Sequence, residues 1–302
     1  MDLMRPDTQG WWDLETEHAA LPEALVINAC LTGNIPTKID NASLPVSVEE
    51  IIKDAAAVIE AGARVLHIHA RAADGSPTWE PDVFGRIFEG IRRHYPEIVI
   101  TATTSGRIFG DFERRAAVLD LDGMAKPDMA SLTLGSLNFP DSASANDPEM
   151  IRQLAGRMRQ RSILPELEVF ELGMLNYAYY LAKKGVIETP CYVNLILGSL
   201  GSSPARFLDL CNMVRDIPRE WVWSAAGIGR YQLPVCAAAV VMGGHVRIGL
   251  EDNLYYDCDR RIPATNTALV RRMVRIADEM GRRVASFAEA RSRLNLPPRG
   301  SA

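Results

Sequence analysis

Two of the chain's five histidines stand one residue apart, as His67-Ile68-His69, at the end of an apolar run. Side chains of a β-strand alternate faces, so residues two apart point the same way, about 7 Å apart along the backbone. Two imidazoles placed like this can converge on one metal ion. They can equally be two hydrogen-bonded residues on one strand face. A third ligand decides between the two, and Glu251 is the candidate. Two histidines and a glutamate with open positions form a catalytic zinc arrangement, and substrate oxygens take the open positions.

That set requires a fold that brings residue 251 beside residues 67 and 69. Eight short apolar runs, at 24–30, 64–71, 98–104, 128–134, 167–172, 192–197, 222–226 and 246–250, recur along the chain. A spacing of about 30 residues is that of a βα unit. Their near-continuous apolar character suits parallel strands covered on both faces. Between them lie helical signals. Ser47-Val48-Glu49-Glu50 reads as a capping box, followed by Ile51, Ile52, Ala55, Ala56 and Ile59 on one face and closed by Gly62. A second helix is expected over 86–94. Asn266 is expected to cap a long helix ending at Gly281, and Ser286 with Glu289 to start an extra C-terminal one. The pattern predicts an α/β fold, a (β/α)8 TIM barrel. An open doubly wound sheet is the alternative, but no GxGxxG follows the first run, which disfavours its dinucleotide-binding form. Residues 1–22, with Trp11-Trp12, are expected to be an N-terminal extension, and residues 23–302 a single barrel domain.

The net charge of −5, without a long basic run, gives no general attraction for nucleic acid. The cysteines, Cys30, Cys191, Cys211, Cys236 and Cys258, are scattered and form no CxxC pair. A disulfide framework and a thiolate zinc site are thereby disfavoured, and a cytoplasmic location is expected. No signal peptide or membrane-spanning run is evident.

A barrel of this type carries its active site at the C-terminal ends of its strands. Polar residues gather there. Asn28 and Thr32-Gly33-Asn34 follow the first run, His67, His69 and Arg71 the second, and Thr103-Thr104-Ser105-Gly106 the third. Ser131 and Thr133 lie on the fourth; Glu166, Glu168 and Glu171 on the fifth. The sixth enters Gly198-Ser199-Leu200-Gly201-Ser202-Ser203-Pro204, the seventh Gly227-Ile228-Gly229-Arg230, and the eighth carries Arg247, Glu251 and Asp252. Closure makes strands eight, one and two neighbours, which places Glu251 within reach of the histidines. His245 lies at the opposite, stability-determining end, His94 near a helix end, and His18 in the extension. An amidohydrolase-type barrel draws further histidines from later strands; this chain has none there. Glu166 and Glu171 are expected to face solvent or to support the site, and Glu168 to be the more interesting of the three. Two readings of 198–203 stay open: tight turns needing glycine, or anion binding at a helix start capped by Ser203.

The motifs LTGNIPTK, AGARVLHIHAR, PDMASLTLGSLNF, PELEVFELGM, AAGIGRYQLP and GGHVRIGLEDN together resemble the β-keto acid cleavage enzyme family over residues 23–296. The resemblance implies a zinc-dependent barrel, usually tetrameric, that converts a β-keto acid and acetyl-CoA into acetoacetate and a new acyl-CoA. It implies that His67, His69 and Glu251 bind zinc, and that Arg247, Asp252 and Glu168 have catalytic or substrate roles. Ser131 matches a hydroxyl position near the substrate. Thr103 stands where the type member's Ser-Thr-Gly-Gly turn has serine; Ser105 replaces the first glycine of that turn and Gly106 keeps the second.

The chief departure is Ile35, which stands where the type member has the glutamate that receives a substrate amino group. Isoleucine would leave an ammonium without a counter-charge, so an amino-substituted substrate is not expected. The tail is expected to be apolar or to bear a carboxylate, which Lys38 could attract. The expected chemistry is Lewis-acid activation of C2 with Asp252, oriented by Arg247, as base. Gly198, Gly201, Ser202 and Arg230 are candidates for holding CoA phosphates. Two other readings are a metal aldolase or hydrolase that does not use CoA, and a catalytically silent barrel that binds a keto acid.

Overall fold

A computed structural model describes residues 23–299. The expected extension, with His18 and the tryptophan pair, lies outside the described residues. Eight parallel strands close into a barrel: β1 (Ile27–Cys30), β2 (Val65–Ile68), β3 (Val99–Ala102), β4 (Met129–Thr133), β5 (Leu164–Val169), β6 (Tyr192–Leu197), β7 (Val222–Gly227) and β8 (His245–Ile248). β8 pairs with β1, and β1 with β2, in the registers Asn28–Arg247 and Cys30–His67. The fold is the TIM barrel that the apolar periodicity predicts.

The helices are α1 (Val48–Ala61), α2 (Pro81–Arg92), α3 (Phe112–Ala116), α4 (Pro148–Gln160), α5 (Leu172–Lys183), α6 (Phe207–Arg215), α7 (Gln232–Val241), α8 (Asn266–Glu279) and α9 (Phe287–Arg293). Both capping boxes form, at Ser47/Glu50 and Ser286/Glu289. Two expected starts move. α2 begins earlier, with Pro81 at its first turn, where the missing N–H costs nothing. Thr265, not Asn266, caps α8. The Asn266 amide is fully buried and spans Leu250 N, Leu31 O and Asp54 Oδ2.

Inside the barrel, residues at alternate positions form layers. Val26, Val65, Val99, Met129, Tyr192 and Val222 make an apolar floor, against which Ala290 of α9 and Leu294 just after it pack. One step toward the C-terminal rim the layer turns polar: Asn28, His67, Thr101, Ser131, Glu166, Asn194 and Ser224 are all buried. The remaining apolar faces pack under the helices in one continuous cluster. Below the floor, Asp128 accepts from Arg92 and Arg291 and pairs with Arg299. Among the described residues no helix is long and apolar enough to cross a membrane.

Candidate metal centre and active site

The polar layer is one hydrogen-bonded network. Glu166 Oε1 accepts from Asn28 Nδ2 (2.6 Å) and Asn194 Nδ2 (3.1 Å), and Glu166 Oε2 accepts from His67 Nδ1 (2.7 Å). Tyr192 donates to Ser224 Oγ, which donates to Asn194 Oδ1. Burial pushes the Glu166 carboxyl upward, but His67 and Arg247 outweigh it and hold the group below the ordinary carboxylate range. Glu166 therefore faces no solvent: its Oε2 accepts from His67 Nδ1, which leaves Nε2 of the ring turned toward Glu251.

His69 is fixed in the same way. Its Nδ1 lies 2.9 Å from Asn34 Oδ1, an acceptor. Asn34 sits on the loop after β1. Arg71 ties that loop down with hydrogen bonds to the carbonyls of Gly33 and Pro36. Gly33 has φ +66°, and a Cβ there would stand 2.7 Å from Glu251 Cγ. Only glycine lets the loop pass so close to the third candidate ligand.

With both Nδ1 atoms engaged, both Nε2 lone pairs face one point. The two Nε2 atoms are 3.3 Å apart, and His69 Nε2 lies 3.3 Å from Glu251 Oε1. The third edge, from His67 Nε2 to Glu251 Oε1, is 3.9 Å. Tetrahedral ligands at about 2.05 Å from zinc would be about 3.3 Å apart. Glu251 Oε2 is buried with no hydrogen-bond partner. Converging lone pairs and an orphaned carboxylate oxygen fit a divalent cation. His67, His69 and Glu251 form one of two clusters, among the described residues, able to hold a metal ion; the other is His67, Glu166 and Glu168. Glu166 is committed to His67 Nδ1 and to two amides, so the first cluster is the better-suited one.

Beside this set lies the fully buried Arg247. It donates Nη2 to Glu251 Oε1 (2.6 Å), Nη1 to Glu168 Oε1 (3.3 Å) and Nε to Asp252 Oδ2 (3.0 Å). Burial alone would favour its neutral form; Asp252 and Glu251 hold it charged, well above the usual range. Thr133 Oγ1 donates to Glu168 Oε2 at 2.7 Å. Burial nevertheless pushes the Glu168 carboxyl upward, against the pull of Arg247. Cys30 donates weakly to Asp252 Oδ2 at 3.2 Å, its thiol driven far up by burial and by Asp252. The backbone carbonyl of Asp252 accepts from Gly229 N.

A cavity of about 310 Å³ opens above these groups; its lining includes His69, Glu168, Arg247, Glu251 and Asp252. Ile35, Thr103 and Gly198 also line it. Other expected site residues do not. Ser131 is buried one layer lower, where its Oγ accepts from Thr104 N. Gly106 packs against Arg115. Lys38 turns away: its Nζ pairs with Glu50 at 2.8 Å, on a surface about half exposed. Gly201 packs on Asn138, Ser202 caps its own turn, and Arg230 lies beside the Tyr231 ring.

The turn at 198–203 closes on itself. The N–H groups of Gly198, Ser199 and Ser202 bond to Ser203 O, Ser202 Oγ and Ser199 O, and Ser203 N reaches Phe170 O. No helix begins at Ser203; α6 starts at Phe207 with Arg206 at its cap. Glu171 is the cap of α5, accepting from Gly173 N and Met174 N. Three contributors were not assigned these roles from sequence: Asn34, Glu166 as the partner of His67, and Arg107, which also lines the cavity.

A (β/α)8 barrel that gathers a metal-ligand set and an arginine–carboxylate cluster at the catalytic end of its strands defines a barrel enzyme with a candidate metal centre. The chain belongs to the beta-keto acid cleavage enzyme family, whose sequence profile matches residues 24–296. It is 37% identical over 280 residues to a 3-oxoadipate:acetyl-CoA acetyltransferase of Cupriavidus necator, covering 92% of this chain and 96% of that one. It is 38% identical over 276 residues to a 3-keto-5-aminohexanoate cleavage enzyme of Fusobacterium nucleatum, covering 91% and 98%. The solved apo structure of ObcA superposes with a TM-score of 0.72 at 18% identity, over 84% of this chain and 66% of that one. That likeness is one of fold.

Proposed function

We propose that this chain is a zinc-dependent enzyme that converts a β-keto acid and acetyl-CoA into acetoacetate and a new acyl-CoA. The observation that carries the reading is the 3.3 Å convergence of His67 Nε2 and His69 Nε2 beside Glu251, next to an Asp252 held by Arg247. Acetyl-CoA as cosubstrate is supported by the name of the C. necator relative. Ile35 in the cavity wall offers an ammonium no counter-charge, which supports a substrate without the amino group of 3-keto-5-aminohexanoate.

Zinc held by His67, His69 and Glu251 would supply Lewis acidity that makes the C2 protons of the substrate more acidic. Asp252 takes the proton from C2 while Arg247 holds its carboxylate in place. The C2 carbanion attacks the thioester carbonyl of acetyl-CoA; a C–C bond forms and CoA thiolate leaves. The thiolate then adds to the former keto carbon, and the original C2–C3 bond breaks. Acetoacetate regains its C2 proton from Asp252, and the new acyl-CoA departs. Arg247 bridges three carboxylates of the site, Glu168, Glu251 and Asp252, and fixes their positions. Thr103 and Glu168 in the cavity wall are suited to orient the keto acid. We place CoA over the loops after β6 and β7, where Gly198 lines the cavity and Gly201, Ser202 and Arg230 lie alongside. The family resemblance supports a homotetramer and a cytoplasmic location.

The test is to incubate the protein with zinc, acetyl-CoA and a panel of β-keto acids, and to follow acetoacetate. Product formed without CoA would support an aldolase or hydrolase instead. Ligand binding without any turnover would support a silent binding barrel. Full activity in metal-free protein would sink the zinc proposal.

A further inference from the structure

The cavity wall carries five formally charged side chains, Arg107, Glu168, Arg247, Glu251 and Asp252. Four of them satisfy one another through Arg247. Arg107 is the exception. Among the described residues its guanidinium makes no hydrogen bond or ion pair, and its Nε is buried without a partner. Its Cζ lies over the Phe139 ring, 4.0 Å from the centroid. A guanidinium backed by an aromatic ring keeps its N–H donors available to a carboxylate. Asp141 is the nearby carboxylate that its charge feels, but it is exposed and not bonded to it.

The placement is informative. Arg107 follows β3, and Ile35 follows β1, so the two flank the histidine strand β2. β3 stands across the barrel from β7. Arg107 is thus on the far side of the cavity from the Gly227–Arg230 loop, one of the two where CoA is placed. An aromatic-backed arginine with a free planar fork is a carboxylate receptor. Lys38, already paired with Glu50, does not compete for that role.

We propose that Arg107 is a specificity-determining residue that receives a carboxylate at the tail of the substrate, so that the preferred substrate class is a β-keto dicarboxylic acid. This rests on the acetyl-CoA-dependent cleavage proposed above. Arg107 and Ile35 then act together, one attracting an anionic tail and the other giving a cationic tail no partner.

The test compares 3-oxoadipate with 3-oxohexanoate, which has the same chain length without the tail charge. Wild-type protein should favour the dicarboxylate by about 10- to 100-fold in kcat/KM. The substitution Arg107→Met should collapse that ratio through KM for the keto acid, and Arg107→Lys should restore part of it. An equal loss on both substrates, or a wild type that prefers 3-oxohexanoate, would overturn the proposal. A rise in KM for acetyl-CoA instead would show that Arg107 holds a CoA phosphate, and would also overturn it. Acetoacetate from any keto acid upholds the cleavage reading whatever the ratio. If no keto acid is turned over, calorimetric binding of adipate against hexanoate still decides: Arg107→Met must weaken adipate selectively, and equal weakening or none rejects the role.

Discussion

Glu166 Oε2 accepts a 2.7 Å hydrogen bond from His67 Nδ1, and this one bond decides which nitrogen of the imidazole faces Glu251. The same carboxylate is gripped by Asn28 and Asn194 from two other strands, so the orientation of His67 is set by the barrel interior rather than by its rim.

The substitution Glu166→Gln tests this link. A glutamine can still accept from His67, but its amide then faces the donor groups of Asn28 and Asn194. Zinc affinity is expected to fall about 10- to 100-fold. Chelator competition measures it, and thermal melting of the metal-free variant shows whether the fold is intact. Unchanged affinity would remove Glu166 from the metal's support.

Replacing either imidazole is more severe. His67→Ala and His69→Ala should each abolish stoichiometric zinc, read by elemental analysis of the purified protein, because two remaining protein ligands rarely retain the ion. A variant with full zinc content would exclude that histidine as a ligand.

Asp252→Asn separates proton transfer from binding. The hydrogen bond from Arg247 can persist, but the base is gone. A loss of about 10²- to 10⁴-fold in kcat is expected, with a much smaller change in KM. Exchange of the C2 protons with deuterated solvent should vanish with it; undiminished exchange would assign the base elsewhere.

His245 makes a stability prediction away from the site. Its Nδ1 accepts from Val26 N at 3.1 Å. Burial, with Arg282 nearby, drives its pKa down to about 3. The unfolded chain takes up this proton below about pH 6.5, whereas the folded chain does not until near pH 3. Stability contributed here is therefore complete above pH 6.5 and is lost as pH falls toward 3, by about 1.4 kcal/mol per unit. Urea unfolding of wild type and His245→Gln at pH 7, 6 and 5 should show the gap between them narrowing with acid. Parallel profiles would contradict the assignment.

Gly249 tests closure of the barrel. A Cβ at this position would stand 2.0 Å from the carbonyl oxygen of Cys30. Gly249→Ala should cost about 3 kcal/mol of stability, read by denaturant unfolding, and should weaken zinc binding because Glu251 follows on the same segment. A melting temperature equal to wild type would mean that the β8–β1 seam is more yielding than its geometry shows.

The His67–His69–Glu251 cluster and the barrel were legible because both rest on periodicity. Strand alternation put His67 and His69 on one face, and the βα repeat made β8 and β2 near neighbours. Helices α3 to α7 carry weaker signals, since α3, α4 and α5 start on the single caps Asp111, Asp147 and Glu171, and α6 and α7 start with no side-chain cap. Whether Glu166 faces solvent or supports the site stayed open in the sequence, because alternation from Glu168 says only that the two share a face. That the face is the barrel interior, with Asn28 reaching across from β1, follows from closure. Lys38 and Arg107 show the limit most plainly. Both lie in loops, and side-chain direction in a loop depends on partners distant in sequence, here Glu50 and Phe139.

The seam between β8 and β1 also orders events in time. During synthesis the two histidines leave the ribosome well before Glu251, which sits beyond the last strand. A nascent chain can offer an ion only the imidazole pair until β8 docks on β1. On the zinc reading proposed above, secure capture of the ion reports that the circle of strands has been completed, and a chain stalled short of its last strand is left with an incomplete clasp.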